Sequence, residues 1–179
     1  MKRLIAAVLV CSSVAAPAFA ALKAGQQAPA FTTQASIGGK VFSYSLADEL
    51  KKGPVVLYFY PAAFTKGCTI EAHMFADAVD KYKALGATVI GVSADNIDTL
   101  NKFSVSECRS KFPVAADQDQ SIMKSYDSVL LYKTNYADRV SYVIAPNGSI
   151  IYEYSSMDPD KHVGNTLQAL EQWLAKQKK

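Results

Sequence analysis

Cysteine, histidine and arginine are all scarce in this chain of 179 residues, which has three cysteines and two histidines. His73 and His162 are too few for a histidine-rich metal site, and neither a metal nor a prosthetic cofactor is expected. Past the first 20 residues no stretch is apolar for long enough to span a bilayer. Charge of one sign is not in excess either: the formal net charge is +3 at pH 7, which argues against nucleic acid as a partner. Internal repeats, low-complexity segments and linkers rich in Pro, Gly or Ser are missing, so the chain past its leader reads as one domain.

The leader is the one strongly biased segment. Lys2 and Arg3 precede the apolar run 4–10, and Ala18-Phe19-Ala20 then supplies an A-x-A cleavage site. Residues 1–20 therefore read as a secretory signal peptide cut after Ala20. Anchoring through a lipid on Cys11 is disfavoured, because Val10 is not the small residue such processing wants. The mature domain is then 21–179, periplasmic or secreted, with no membrane in its mature form. Removal of Lys2 and Arg3 lowers its formal charge to +1. It retains two cysteines, Cys68 and Cys108, and in an oxidising compartment such a pair is most often a structural disulfide.

Alternating elements follow. SIGGKVFSYSL (36–46) reads as a hairpin around Gly-Gly, and PVVLYFY (54–60) as a strand buried on both faces. Over 68–85 the apolar positions Phe75, Ala78, Val79, Tyr82 and Leu85 recur at helical spacing until Gly86. ATVIGVSAD (87–95) predicts a second buried strand, 96–109 a helix and 112–115 a short strand. SYVIAPNGSIIYEY (141–154) predicts two strands around a Pro-Asn-Gly turn, which explains Asn147-Gly148-Ser149 better than a glycosylation site does. Val163, Leu167, Leu170 and Leu174 share one face of a final helix. The pattern is that of an α/β domain of the thioredoxin-like kind, a central mixed β-sheet flanked by helices. In such sheets sites form at the carboxyl ends of strands, and Cys68 lies just beyond one.

A thiol with a pKa of about 8.5 is only ~3% thiolate at pH 7. Lowering that value by about 2.5 units needs roughly 3.4 kcal/mol. A helix N-terminus supplies about 0.3–1 kcal/mol, or ~2 when partly buried, which is not enough. A guanidinium about 4 Å away can supply up to ~4 kcal/mol before desolvation is subtracted. The mature chain has two arginines, Arg109 and Arg139. Arg109 sits beside Cys108 near a helix end. Arg139 immediately precedes an apolar strand, where an arginine is by itself most often a surface charge.

FYPAAFTKGCTIEA resembles the active-site segment of peroxiredoxins, P-x-x-x-T-x-x-C, with Pro61, Thr65 and Cys68 in place. RVSYVI (139–144) is similar to the family's second signature, an arginine opening a strand. The likeness runs from GQQAPAF to the C-terminal helix and is nearest the Q-type, or bacterioferritin-comigratory-protein, group. It implies a peroxiredoxin fold and a thiol peroxidase, with hydrogen peroxide or alkyl hydroperoxides as substrate and a thioredoxin-like thiol as reductant. Cys68 would be the peroxidatic cysteine, Thr65 would hold the peroxide, Pro61 would shield the pocket, and Arg139 would favour the thiolate and stabilise the leaving oxygen. Glu71 would orient Arg139; equally, it reads as a solvent-facing acid that complements the helix dipole. Lys66 stands where the family places proline, and His73 where many Q-type members carry the resolving cysteine. Cys108 is then the candidate resolving cysteine, and a permanent Cys68–Cys108 bond is the alternative. The protein is expected to be a monomer or weak dimer.

Two other readings share the fold and the export signal. A thiol–disulfide oxidoreductase would want C-x-x-C, and a copper-delivery protein C-x-x-x-C with a distant histidine such as His162; Cys68 has neither partner cysteine. Otherwise His162 is expected to make a surface or capping contact, and Tyr132 and Tyr136 to border the substrate entrance.

Overall fold

The computed structural model describes residues 21–177, so the expected signal peptide and Cys11 lie outside the described residues. The hairpin forms as expected, from β1 (Thr32–Ile37) and β2 (Lys40–Ser45). Its turn residues Gly38 and Gly39 have φ of 55° and 80°, values that a primed two-residue turn requires and that a Cβ resists.

Strand β3 (Val55–Phe59) is buried along its whole length. Its side chains alternate between two apolar clusters, Val56 and Tyr58 on one face and Val55, Leu57 and Phe59 on the other, as the two-residue period of a strand dictates. Burial of each such side chain contributes roughly 1.5–3 kcal/mol, so both faces hold this strand in register. β4 (Thr88–Ser93) pairs with β3 in parallel, and β5 (Val114–Ala116) with β4. On the other side β6 (Val140–Ile144) and β7 (Ile150–Ser155) add antiparallel. The result is a mixed sheet of seven strands in the order β2-β1-β5-β4-β3-β6-β7.

Helices cover both faces. α2 (Lys66–Ala84), α3 (Ile97–Ser106) and α5 (His162–Gln177) pack against the cluster that holds Tyr58, while α1 (Leu46–Leu50) and α4 (Ser121–Ser125) pack against the other. α1, α4 and the 3-10 turn Pro159–Lys161 are too short to show a helical period in the sequence. Among the described residues no helix is long and apolar enough to cross a membrane.

Two helix boundaries differ from expectation at points that matter. α2 starts at Lys66, so Cys68 is its third residue rather than its first. α3 starts on Asn96, whose Oδ1 accepts a hydrogen bond from Thr99 N at 2.8 Å, a normal N-cap. It ends at Ser106 because Arg109 and Ser110 turn left-handed, with φ of 51° and 56°. Cys108 therefore sits in the turn beyond α3 and not in its last turn.

Candidate active site

The chain leaves β3 at Phe59 and turns into α2 through residues 60–65, at the carboxyl end of the strand. This loop is tied down at several points. Ala63 N donates to Asp95 Oδ2 at 2.7 Å, and Ser93 Oγ donates to the same oxygen at 2.8 Å. Phe64, held at a left-handed φ of 63°, sets its ring edge-on to Phe103 with centroids 5.2 Å apart. These contacts do the fixing that a proline at Lys66 would otherwise supply. Thr65 is the N-cap of α2, but its hydroxyl donates to Ala62 O at 3.0 Å instead of capping the helix.

Cys68, on the first turn of α2, is 2% exposed. Arg139 reaches it from the far side of β3. Because β6 pairs antiparallel with β3, with Val140 opposite Phe59, the residue before β6 falls beside the loop that leads to Cys68. Arg139 is 3% exposed, which overturns the surface-charge reading. Its Nη2 donates to Cys68 Sγ at 3.4 Å, its Nε donates to Met157 O at 3.1 Å, and its Nη1 donates to Glu71 Oε2. Burial works against the charge of this guanidinium, but Glu71 and Cys68 outweigh it and keep Arg139 protonated. A charged donor aimed at sulfur stabilises the thiolate.

Glu71 is fully buried, so the solvent-facing alternative fails. It lies on the same side of α2 as Cys68, three residues on, as helical geometry requires. His162 is not a surface or capping residue either: it is fully buried at the start of α5, with Nδ1 at 2.8 Å from Ser141 Oγ and Nε2 at 2.9 Å from Ser156 O. Sequence reasoning missed its place because that depends on β6, β7 and α5 meeting. Gly67 was also missed. A Cβ there would stand 3.1 Å from Arg139 Nη2.

Pro61 lines a cleft of about 310 Å³ together with Ala94, Asp95, Asn135 and Tyr136. Of the two tyrosines expected at an entrance, Tyr136 borders this cleft, while Tyr132 is 91% exposed and does not line it.

Cys108 is fully buried in the apolar cluster that also contains Cys68, and both are free thiols. Burial, with a smaller push from Glu107, raises the Cys108 pKa far above the ordinary thiol value. The segment around it is strapped to α2 by one hydrogen-bond contact and two ion pairs. His73 Nε2 meets Glu107 Oε2 at 2.9 Å, Arg109 Nη1 meets Asp77 Oδ1 at 2.5 Å, and Lys111 Nζ meets Asp80 Oδ2 at 4.0 Å. The structure thus brings Cys68, Glu71 and Arg139 into direct contact and leaves Cys108 unbonded.

Residues 24–153 match the model of the AhpC/TSA family. The chain is 34% identical over 161 residues to "Peroxiredoxin Q, chloroplastic" of Populus jackii, covering 89% of this chain and 73% of that one. It is 35% identical over 148 residues to the protein of the same name from Oryza sativa subsp. japonica, covering 82% of this chain and 66% of the rice protein, so it spans just under two thirds of that relative. Among solved structures, peroxidoxin BcpB from Mycobacterium tuberculosis superposes with a TM-score of 0.76 at 28% identity, over 84% of this chain and 97% of that one.

Proposed function

The chain belongs to the AhpC/TSA family, and from that premise we propose that it is a thiol-dependent peroxidase that reduces hydrogen peroxide or alkyl hydroperoxides through Cys68. The observation that carries the proposal is the contact of 3.4 Å from the buried Arg139 Nη2 to Cys68 Sγ. A fixed, desolvated cation beside a sulfur on the first turn of a helix is what a reactive thiolate needs.

In this reading the Cys68 thiolate attacks one peroxide oxygen, the O–O bond breaks, and sulfur gives up two electrons to become a sulfenic acid. The departing oxygen leaves as an alkoxide or hydroxide and takes a proton to become alcohol or water. Arg139 faces the charge at both ends of that transfer, Thr65 holds the peroxide through its hydroxyl, and Pro61 walls the approach from the neighbouring cleft. Glu71 orients Arg139. Cys108 is the resolving cysteine: its sulfur attacks the sulfenic sulfur of Cys68, water leaves, and the disulfide is reduced by an external dithiol of the thioredoxin kind. Both thiols being free and buried supports a transient bond over a permanent one, and it requires the turn that carries Cys108 to open.

The mature enzyme is proposed to be a single domain over residues 21–179, working in the periplasm or outside the cell as a monomer or weak dimer. The leader pattern supports export, and relatives named chloroplastic fit a targeting segment ahead of the domain. The thiol–disulfide and copper-delivery readings gain no support from the site, where both nitrogens of His162 already have partners.

The test is intact-mass analysis and peptide mapping of the reduced mature protein after one equivalent of hydrogen peroxide, trapped within seconds. Loss of two hydrogens with a Cys68–Cys108 cross-link is the expected result. Oxygen on Cys68 alone would keep the peroxidase and remove Cys108 from the cycle. An unchanged mass would refute the assignment.

A further inference from the structure

Behind Arg139, one oxygen of the buried Glu71 carboxyl has no partner among the described residues. Oε2 accepts from Arg139 Nη1, but Oε1 has no hydrogen bond and faces His162 Nδ1 at 3.6 Å, both side chains being fully buried. The tautomer of His162 follows from its neighbours. Nε2 points at the Ser156 carbonyl oxygen at 2.9 Å, which can only accept, so Nε2 carries the hydrogen. In a neutral ring Nδ1 is then bare, and the Ser141 hydroxyl donates to it at 2.8 Å. An ionised Glu71 would aim a charged, unpaired oxygen at that lone pair inside the protein, which is a costly arrangement. One proton on Oε1 removes the conflict: directed at Nδ1 from 3.6 Å, it shares that lone pair with the Ser141 hydroxyl in a three-centre contact.

We propose that Glu71 and His162 hold this proton between them, on Glu71 Oε1 and directed at His162 Nδ1, and that it leaves the charge of Arg139 to act on Cys68. His162 is thus a positioning residue for the peroxidase chemistry, and the proposal rests on that reading of Cys68. With Glu71 neutral, one buried guanidinium faces one thiolate and the charges balance. With Glu71 ionised, two anions share one cation, and the bond from Nη1 to Glu71 competes with that from Nη2 to Cys68.

Burial pushes Glu71 up to about 8 against the pull of Arg139, and it pushes His162 down to about 4. Both directions select the neutral pair over an imidazolium–carboxylate pair. The other titratable and charged groups around the pair leave that balance in place. Tyr58 on β3 is held neutral by its burial. Tyr154 on β7 sets its ring against the imidazole with centroids 4.8 Å apart. Asp158, ahead of the 3-10 turn, is the smallest of the influences on His162. Arg139 at the head of β6 and Cys68 on α2 complete the set.

Infrared difference spectroscopy of the reduced protein near neutral pH should show a protonated carboxyl band. Glu71→Gln should remove that band, and it should titrate away as the pH rises through about 8. In parallel, the pH profile of Cys68 alkylation by iodoacetamide, read by peptide mapping to separate Cys108, should move up in His162→Leu by about one pH unit, a tenfold loss of thiolate at fixed pH. His162→Asn, which keeps an acceptor at the place of Nδ1, should leave the profile nearly where it was. Lack of the band in the unaltered protein overturns the proposal, and so does an unshifted profile in His162→Leu. If His162→Leu fails to fold, the band and its loss in Glu71→Gln decide. Neither measurement involves peroxide: a protein that shows the band and the shift but consumes no peroxide would refute the peroxidase assignment and leave the shared proton standing.

Discussion

Gly67 lies directly against Arg139: a Cβ built on this glycine would stand 3.1 Å from Nη2, the nitrogen that contacts Cys68. The space that Gly67 leaves is occupied by the guanidinium, which is itself clamped by Glu71 and Met157 O and has little freedom to retreat. Gly67→Ala should therefore slow the reaction of Cys68 with peroxide about tenfold, equivalent to about 1.4 kcal/mol. Its thermal stability should fall as well, since a guanidinium that cannot retreat meets the new Cβ and Gly67 is only the second residue of α2, where the preference for alanine of roughly 0.5–1 kcal/mol in a helix interior is not fully felt. Rapid-mixing kinetics and a melting curve on the same sample check both effects.

Removing the cation itself is a larger change. Arg139→Gln leaves a shorter, uncharged donor that falls short of Cys68, and the rate of peroxide attack at neutral pH should fall roughly 10²–10³-fold, as for loss of a preorganised electrostatic donor. Unchanged kinetics would exclude Arg139 from the chemistry. Arg139→Lys should recover little, because a single ammonium cannot reach Cys68, Glu71 and Met157 together.

Glu71 gives stability an alkaline limb. Its folded value of about 8 lies above the ordinary 4.5 because burial disfavours the anion. The favourable state is complete below the unfolded value and is lost as the pH rises through the folded one. Urea unfolding of the native protein should thus show a fall in stability across that window, and Glu71→Gln should flatten it.

His162 predicts the mirror image. Burial lowers it from 6.5 to about 4, so its contribution is present above pH 6.5 and lost as the pH falls through about 4. His162→Asn should flatten the acid limb. A His162 proton that titrates near its ordinary value by NMR would contradict this.

The ion pairs that strap the Cys108 turn to α2 should govern how fast the disulfide closes. Asp77→Asn frees Arg109, whose pair is largely exposed and worth at most about 1 kcal/mol. Global stability should barely move, while closure of the Cys68–Cys108 bond after oxidation should accelerate a few-fold, up to the factor of about five that 1 kcal/mol allows. Quenched-flow alkylation measures the closure rate directly.

What the residues reveal before folding is uneven, for physical reasons. β3 is plain because VVLYF leaves no polar position to face water. The Cys68–Arg139 pair is recognisable through its two short segments, although 71 residues separate them. Glu71 is ambiguous, since helical spacing places it near Cys68 without saying whether that side of α2 meets the sheet or water. His162 is opaque because its burial arises only when β6, β7 and α5 converge. The end of α3 is misjudged because two residues with ordinary side chains, Arg109 and Ser110, adopt a conformation that composition does not announce.

The pairing of Val140 with Phe59 has a consequence for how such a chain can change over time. Thiol and guanidinium hang from adjacent rungs of one ladder, so their separation is set by counting residues only over 60–67 on one side and at Arg139 itself on the other. Insertions or deletions in the exposed run 131–136 can be absorbed at the surface without altering that count. A single residue added between Phe59 and Cys68 cannot, because it would rotate the first turn of α2 by about 100° and swing the sulfur out of reach of the guanidinium. The loop before the helix is therefore an intolerant segment of this protein, and the exposed run 131–136 ahead of Arg139 a tolerant one.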